Sequence, residues 1–221
     1  MRSHRKAFLG GTFNPIHYGH LRMAEEVREA LNLDKVVFIP SSIPPLKTED
    51  VAPADLRLQM LRIALKDNPF FEISDIECRR SGKSYTVDTI KIIREEEPDL
   101  EPIFILGIDA FLEMPLWHRP DELIKLCDFA VVKRSCADFK DLSRSPFLRS
   151  LEPEEKTDSY RSLRLISGRR VFWIECTVLD ISASDIRQRL REGRSIKYLL
   201  PESVESFIIS NQIYFQRERG G

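Results

Sequence analysis

Cysteine is scarce in this chain of 221 residues, with four at Cys78, Cys127, Cys136 and Cys176 and none in C-x-x-C spacing. That scatter argues against a zinc ribbon or a disulfide framework and suits a reducing compartment, so a cytoplasmic protein is expected. An excess of one charge is missing as well: 34 basic and 35 acidic residues leave a formal net charge of −1. Bulk charge gives no footprint for nucleic acid, and no such partner is expected. No apolar run nears the roughly 18 residues of a membrane span, and the basic start Arg2-Ser3-His4-Arg5-Lys6 leads into no signal-peptide apolar core. Membrane association is therefore not expected. The G-x-G-x-x-G and G-x-x-x-x-G-K-[ST] fingerprints are both absent. What remains is an ordinary soluble composition, 42% hydrophobic and 31% charged, long enough to bury a core.

Histidine is rare too, and its placement is informative: two of the four fall within Gly10-Gly11-Thr12-Phe13-Asn14-Pro15-Ile16-His17-Tyr18-Gly19-His20. Ala7, Phe8 and Leu9 before it read as a short buried strand, and Met23, Ala24, Val27 and Leu31 follow at helical spacing. The segment reads as a strand, a tight glycine turn and a helix entry. Glycines there let backbone N–H groups approach a ligand, and a helix N-terminus favours an anion. Imidazoles at i, i+3 can donate to phosphate oxygens. On spacing alone, a purely structural turn and half of a metal site stand beside phosphate binding.

Strand-like and helix-like segments alternate along the chain. Residues 35–39, 70–76, 103–106, 129–132 and 171–174 read as strands, several of them continuous apolar runs of the kind buried in parallel sheets. Residues 53–66 read as a helix with Pro53 in its first turn and Leu56, Met60, Ile63 and Ala64 on one face; 86–97 read as another, with Val87, Ile90 and Ile93 inward. This alternation predicts an α/β fold, a Rossmann-like open and mostly parallel sheet with helices on both faces and ligands outside the carboxyl ends of the strands. A single domain over 1–221 is expected, with a polar surface excursion at 135–170 that holds Pro146 and Pro153.

A second motif lies at Ile181-Ser182-Ala183-Ser184-Asp185-Ile186-Arg187. Ser182 to Asp185 has S-x-x-D spacing, with Ser184 an alternative cap, so a helix 185–191 is expected to start here and to stop at Gly193. Arg187 in its first turn can clamp phosphate bidentately beside serine hydroxyls and free N–H groups. A capped helix start with an arginine is commonplace by itself.

Taken in order, these motifs resemble a known family. Gly10–His20 resembles the GTFDP.H.GH signature of the nucleotidyltransferase superfamily, with Asn14 where Asp is usual; Asn keeps the turn-forming ability and loses the charge. Ile181–Arg187 resembles the ISST.IR element, with Ala183 replacing the second serine. Pro44-Pro45-Leu46-Lys47 resembles PPHK, with Leu46 for His; Ser84–Thr89 resembles SYT.DTL; Leu106-Gly107-Ile108-Asp109 resembles LGAD; and the stretch around Trp117 and the ending Gly193–Pro201 match as well. From Lys6 to Ile208, leaving out 135–170, the chain resembles the bacterial nicotinate-nucleotide adenylyltransferases.

The resemblance implies transfer of AMP from ATP to nicotinate mononucleotide, giving nicotinate adenine dinucleotide and pyrophosphate in NAD synthesis. The attacking group is already an anionic phosphate oxygen, so positioning and electrostatics carry the rate rather than a protein base. It implies His17 and His20 on the α- and β-phosphates, beside Thr12, Phe13 and the Gly10-Gly11 backbone. Ser182, Ser184, Ile186 and Arg187 then form the rest of the ATP site, and Lys47 screens the incoming phosphate. The mononucleotide falls to Thr86, Gly107, Asp109 and Trp117, whose indole offers a flat face to a pyridine ring. Mg²⁺ is expected on the ATP phosphates, without a dedicated protein cage. A nicotinamide mononucleotide or phosphopantetheine acceptor, a synthetase fragment sharing His-x-Gly-His, and a non-catalytic nucleotide sensor are the alternatives. Acid against amide preference and assembly into a homo-oligomer stay open.

Overall fold

The computed structural model describes residues 5–43, 50–80, 82–133 and 137–215. In chain order the elements are β1 (Lys6–Gly11), α1 (Tyr18–Ala30), β2 (Lys35–Pro40), α2 (Ala54–Leu65), β3 (Phe71–Ile73), α3 (Thr86–Glu96), β4 (Ile103–Gly107), α4 (Ile108–Glu113), α5 (Pro120–Leu126), β5 (Asp128–Val132), β6 (Glu155–Lys156), β7 (Arg161–Arg164), β8 (Arg170–Ile174), α6 (Ala183–Arg191) and α7 (Glu202–Ser210). Eight strands form one sheet in the order β3-β2-β1-β4-β5-β8-β7-β6, parallel from β3 to β8 and antiparallel beyond.

The apolar runs form strands because both faces of the sheet are covered. Along each strand, side chains alternate between two cores, as the two-residue period demands. Ala7 and Leu9, Val36 and Phe38, and Ile103 and Ile105 point into one core with Ala24 and Val27 of α1, Met60 and Leu61 of α2, Ile186 of α6 and Ile208 of α7. Phe8, Val37, Ile39, Phe104 and Leu106 point into the other with Ile90 of α3, Phe111 of α4 and Leu123 of α5. This is the Rossmann-like α/β architecture that the alternation predicts, helices on both faces included. Among the described residues no helix is long and apolar enough to cross a membrane.

Strand order reverses between β1 and β4, whose paired residues run from Ala7–Ile103 to Leu9–Ile105. In such sheets the crevice outside the carboxyl ends of these two strands is where ligands sit, because the connecting chains diverge to opposite faces there. Gly11 closes β1 and Gly107 closes β4, so the histidine motif and Asp109 flank that crevice.

Two expectations about the sheet change. The strand read over 70–76 is only Phe71–Ile73, since the chain turns away after three paired residues. The segment read as a surface excursion is, over its described residues, partly structural. Leu142, Phe147, Leu163 and Leu165 are buried, and β7 pairs with β8. Its polar composition is that of an antiparallel sheet margin whose charges are matched: Arg164 pairs with Glu154, and the Arg161 guanidinium lies 4.6 Å above the Phe139 ring. Residues 152–159 do lie at the surface.

Candidate active site

Gly10 and Gly11 do not form the tight turn that the sequence suggests. They are the last two residues of β1, and what they provide is room: a Cβ on either would stand 3.0 Å from an aromatic carbon, of Phe104 for Gly10 and of Phe13 for Gly11. The chain reverses in the residues that follow, through Phe13 at φ 46° and a cis Asn14–Pro15 bond. The Phe13 ring is buried, 5.8 Å from the Phe38 ring and edge-on to His20 at 5.2 Å, so its backbone is the part left to face a ligand.

His17 is the N-cap of α1, and its carbonyl accepts from the backbone N–H groups of His20 (3.0 Å) and Leu21 (3.3 Å). The i, i+3 spacing puts both imidazoles on one face, with ring centroids 3.8 Å apart and planes 34° from parallel. Gly19 makes the arrangement fit, since a Cβ there would lie 3.0 Å from Nδ1 of His17. Two imidazoles therefore sit together at the positive end of a 13-residue helix, at the carboxyl edge of β1.

The second motif arrives from 173 residues away. Nη1 of Arg187 donates to the carbonyl of Asn14 at 2.8 Å. Helix α6 starts two residues earlier than the spacing suggests, at Ala183, because the Ser182 hydroxyl caps it by accepting from the Asp185 N–H at 3.0 Å. Ser184 is exposed in the first turn, whereas Ile186 is wholly buried and anchors the helix to the core. Gly193, at φ 65°, follows the helix in the left-handed conformation expected of a stop.

Asn14 accounts for its own departure from the family pattern. Its Nδ2 donates to the Asp50 carbonyl at 2.8 Å, while Oδ1 accepts from the Ala52 N–H at 3.0 Å and from the Tyr214 hydroxyl at 2.7 Å. An aspartate could not make the first bond. Asp50 in turn accepts from Nε of Arg187 at 2.8 Å and pairs with Arg191. Burial works to raise its carboxyl, but the Arg191 and Arg187 guanidiniums outweigh that and hold it below the usual range. Burial pushes the Tyr214 phenol well up.

On the other side of the crevice, Thr86 opens α3, Gly107 precedes α4 and Asp109 is exposed in the first turn of α4. Trp117 is half-buried against the core beneath α3, α4 and α5. Its neighbour His118 stacks on Tyr85 with centroids 4.2 Å apart, and Arg119 pairs with Asp88, so the tryptophan loop is fastened to the start of α3. Lys47 and its Pro44-Pro45-Leu46 neighbours lie outside the described residues.

Two buried charged residues carry no sequence motif. Arg57 of α2, 1% exposed, donates to the carbonyls of Ala52 (2.9 Å), Thr12 (2.8 Å) and Ser42 (3.1 Å), and burial lowers its guanidinium below the ordinary value. The one trace in the sequence is a charged residue at core spacing, three before Met60. Glu77 is buried near the start of α3 and accepts from the hydroxyls of Thr89 (2.6 Å) and Ser84; burial raises its carboxyl against these bonds and the Arg80 charge. Ser84 Oγ also accepts from the Ser42 N–H at 3.1 Å, joining the start of α3 to the chain leaving β2. Among the described residues no three His, Cys, Asp or Glu side chains cluster as metal ligands.

Residues 8–189 match the cytidylyltransferase-like family. A protein of Geobacter metallireducens named "probable nicotinate-nucleotide adenylyltransferase" is 43% identical over 217 residues, 95% of this chain and 98% of the relative. One of Pelobacter propionicus with the same name is 45% identical over 209 residues, 93% and 96% of the two chains. The chain belongs to the nicotinate-nucleotide adenylyltransferases of the cytidylyltransferase-like family. As a member it is a nucleotidyltransferase, and its fold agrees. The nicotinic acid mononucleotide adenylyltransferase of Plasmodium falciparum complexed with NaAD superposes with a TM-score of 0.75 at 19% identity, over 95% of this chain and 97% of that one. The same protein complexed with APC gives 0.72 at 18% identity, over 95% and 96%.

Proposed function

We propose that the enzyme transfers the AMP group of Mg-ATP to nicotinate mononucleotide, forming nicotinate adenine dinucleotide and releasing pyrophosphate. The observation that carries this reading is the hydrogen bond from Arg187 to the Asn14 carbonyl, which joins the two phosphate-type motifs into one site at the strand-order reversal. Names of relatives more than 40% identical over nearly the full chain support the choice of acceptor.

The mononucleotide phosphate oxygen attacks the α-phosphorus of ATP, and the bond to the β-phosphate bridging oxygen breaks. Two anions must be brought together and the charge growing on pyrophosphate must be held. His17 and His20 donate to the α- and β-phosphates from the start of α1, with the Thr12 and Gly10-Gly11 backbone beside them. Ser182, Ser184 and Arg187 hold the outer phosphates at the start of α6, with the free N–H groups of that helix's first turn adding to the field. Lys47 meets the acceptor phosphate. Thr86, Gly107, Asp109 and Trp117 take the mononucleotide, the carboxylate accepting from ribose hydroxyls and the indole facing the ring. These groups are mostly hydrogen-bond donors and cations, which suits a magnesium ion carried into the site on the triphosphate rather than caged by side chains. The free thiols of Cys78, Cys127 and Cys176 support a reducing, cytoplasmic setting.

The test is pyrophosphate release from Mg-ATP with nicotinate mononucleotide, its amide and phosphopantetheine as acceptors. Release is expected with a pyridine mononucleotide and absent with phosphopantetheine. Tight ATP binding without release from any acceptor would replace the reading with that of a nucleotide sensor.

A further inference from the structure

Arg187 is already engaged before any phosphate arrives. Nε donates to Asp50 and Nη1 to the Asn14 carbonyl, each at 2.8 Å, which leaves Nη2 without a partner among the described residues. Asp50 is the anchored member of the pair. Its backbone sits at φ 60°, a conformation that Asp and Asn tolerate better than most residues, and its carbonyl is held by Asn14 Nδ2. Two residues on, the Ala52 N–H bonds the same side chain, which Tyr214 fixes in turn. The other carboxylate oxygen is paired with Arg191, one helical turn beyond Arg187.

We propose that Asp50 is a positioning residue for the phosphate-gripping arginine, holding the Arg187 guanidinium in place with Nη2 free for the triphosphate. The inference rests on the reading that Arg187 binds ATP. The physical case has two parts. An arginine stem has many rotamers, and a guanidinium fixed in advance gives up less freedom when phosphate binds. One carboxylate between two guanidiniums also leaves a net positive charge, so Arg191 keeps Asp50 from cancelling the field that attracts the nucleotide. Asp50 touches no reacting atom in this scheme and acts only through Arg187. The bond from Asn14 holds its backbone independently of the arginines.

The experiment compares wild type, Asp50→Asn, Arg187→Ala and the double variant. Mg-ATP affinity is read by calorimetry without acceptor, and KM for each substrate by pyrophosphate release. Asparagine keeps the size and the left-handed backbone and removes only the charge. Asp50→Asn is expected to weaken Mg-ATP binding roughly tenfold, leave the mononucleotide KM within about twofold, and add nothing once Arg187 is gone. Asp50→Glu should recover part of the loss. Tighter ATP binding in Asp50→Asn would show competition, and an equal loss in the Arg187→Ala background would show a role unconnected with Arg187; either overturns the proposal, as does unchanged affinity. Asp50→Ser gives the same reading should Asp50→Asn fail to fold. Because ATP binding is measured without acceptor, loss of the proposed reaction alone would not be mistaken for failure here.

Discussion

Arg57 donates to the Thr12 carbonyl from inside the protein, Nη1 to oxygen 2.8 Å, with its side chain almost wholly out of solvent. Nε and Nη2 reach Ala52 and Ser42. One residue of α2 thus ties the loop after β1, the strand end of β2 and the approach to α2 into one body. Carbonyl oxygens are its acceptors, so its positive charge persists beneath the loop that follows β1, in surroundings where charge acts over a longer reach than in water.

Arg57→Met should lower stability by about 2–3 kcal/mol, since one buried and two half-buried carbonyls lose a donor, at up to roughly 1–3 kcal/mol for the buried one, and methionine repays only packing. Arg57→Lys keeps a charge but cannot fork to three acceptors, and should fall between. Denaturant midpoints of the three proteins measure this; equal midpoints would mean that water satisfies the carbonyls.

His20→Ala should lower turnover by roughly 10²–10³ with the fold intact, the loss typical of a preorganised donor aimed at developing charge. Steady-state kinetics beside a melting curve is the check. A folded variant with near-normal turnover would leave the His17–His20 ring contact as packing at the helix start.

Trp117→Ala should raise KM for the mononucleotide while ATP affinity stays put, because the indole lies across the crevice from α6. Ring stacking is worth about 0.5–1.5 kcal/mol beyond area burial, so Trp117→Phe should recover part of it. The half-buried indole also packs on the core, which predicts lower Tm. Parallel loss of both substrates and of Tm, with no selective acceptor defect, would reduce Trp117 to a packing residue.

Glu77 gives a pH signature. Its folded carboxyl titrates above the ordinary glutamate value, because burial disfavours the charge. The folded state therefore holds its proton more tightly than the unfolded state. The resulting contribution is fully present below the unfolded value near 4.5 and is lost as pH rises through the raised folded value. Glu77→Gln keeps an acceptor for Thr89 and removes the titration. The Tm difference, wild type minus variant, should fall from acid toward neutral pH; a flat difference would show that Glu77 titrates alike in both states.

The alternation of strands and helices is written in the chain locally, because periods of 2 and 3.6 residues appear in its apolar spacing. The cap at Ser182 and the helix starts beside both motifs were legible there too, since capping and helix-start chemistry act over three or four residues. The antiparallel margin at β7 leaves no local pattern because it is four residues long and its arginines find partners outside the strand. That Gly10 and Gly11 end a strand against Phe104 and Phe13 rather than form a turn follows from long-range packing. Only tertiary structure joined Arg187 to Asn14 and Asp50, and sank Arg57 beneath Thr12. These bonds span tens to hundreds of residues, and each depends on a donor and an acceptor meeting within about 3 Å from separate elements. No local pattern records such a meeting, because the same side chains at the same spacings would lie in solvent if the sheet were ordered differently.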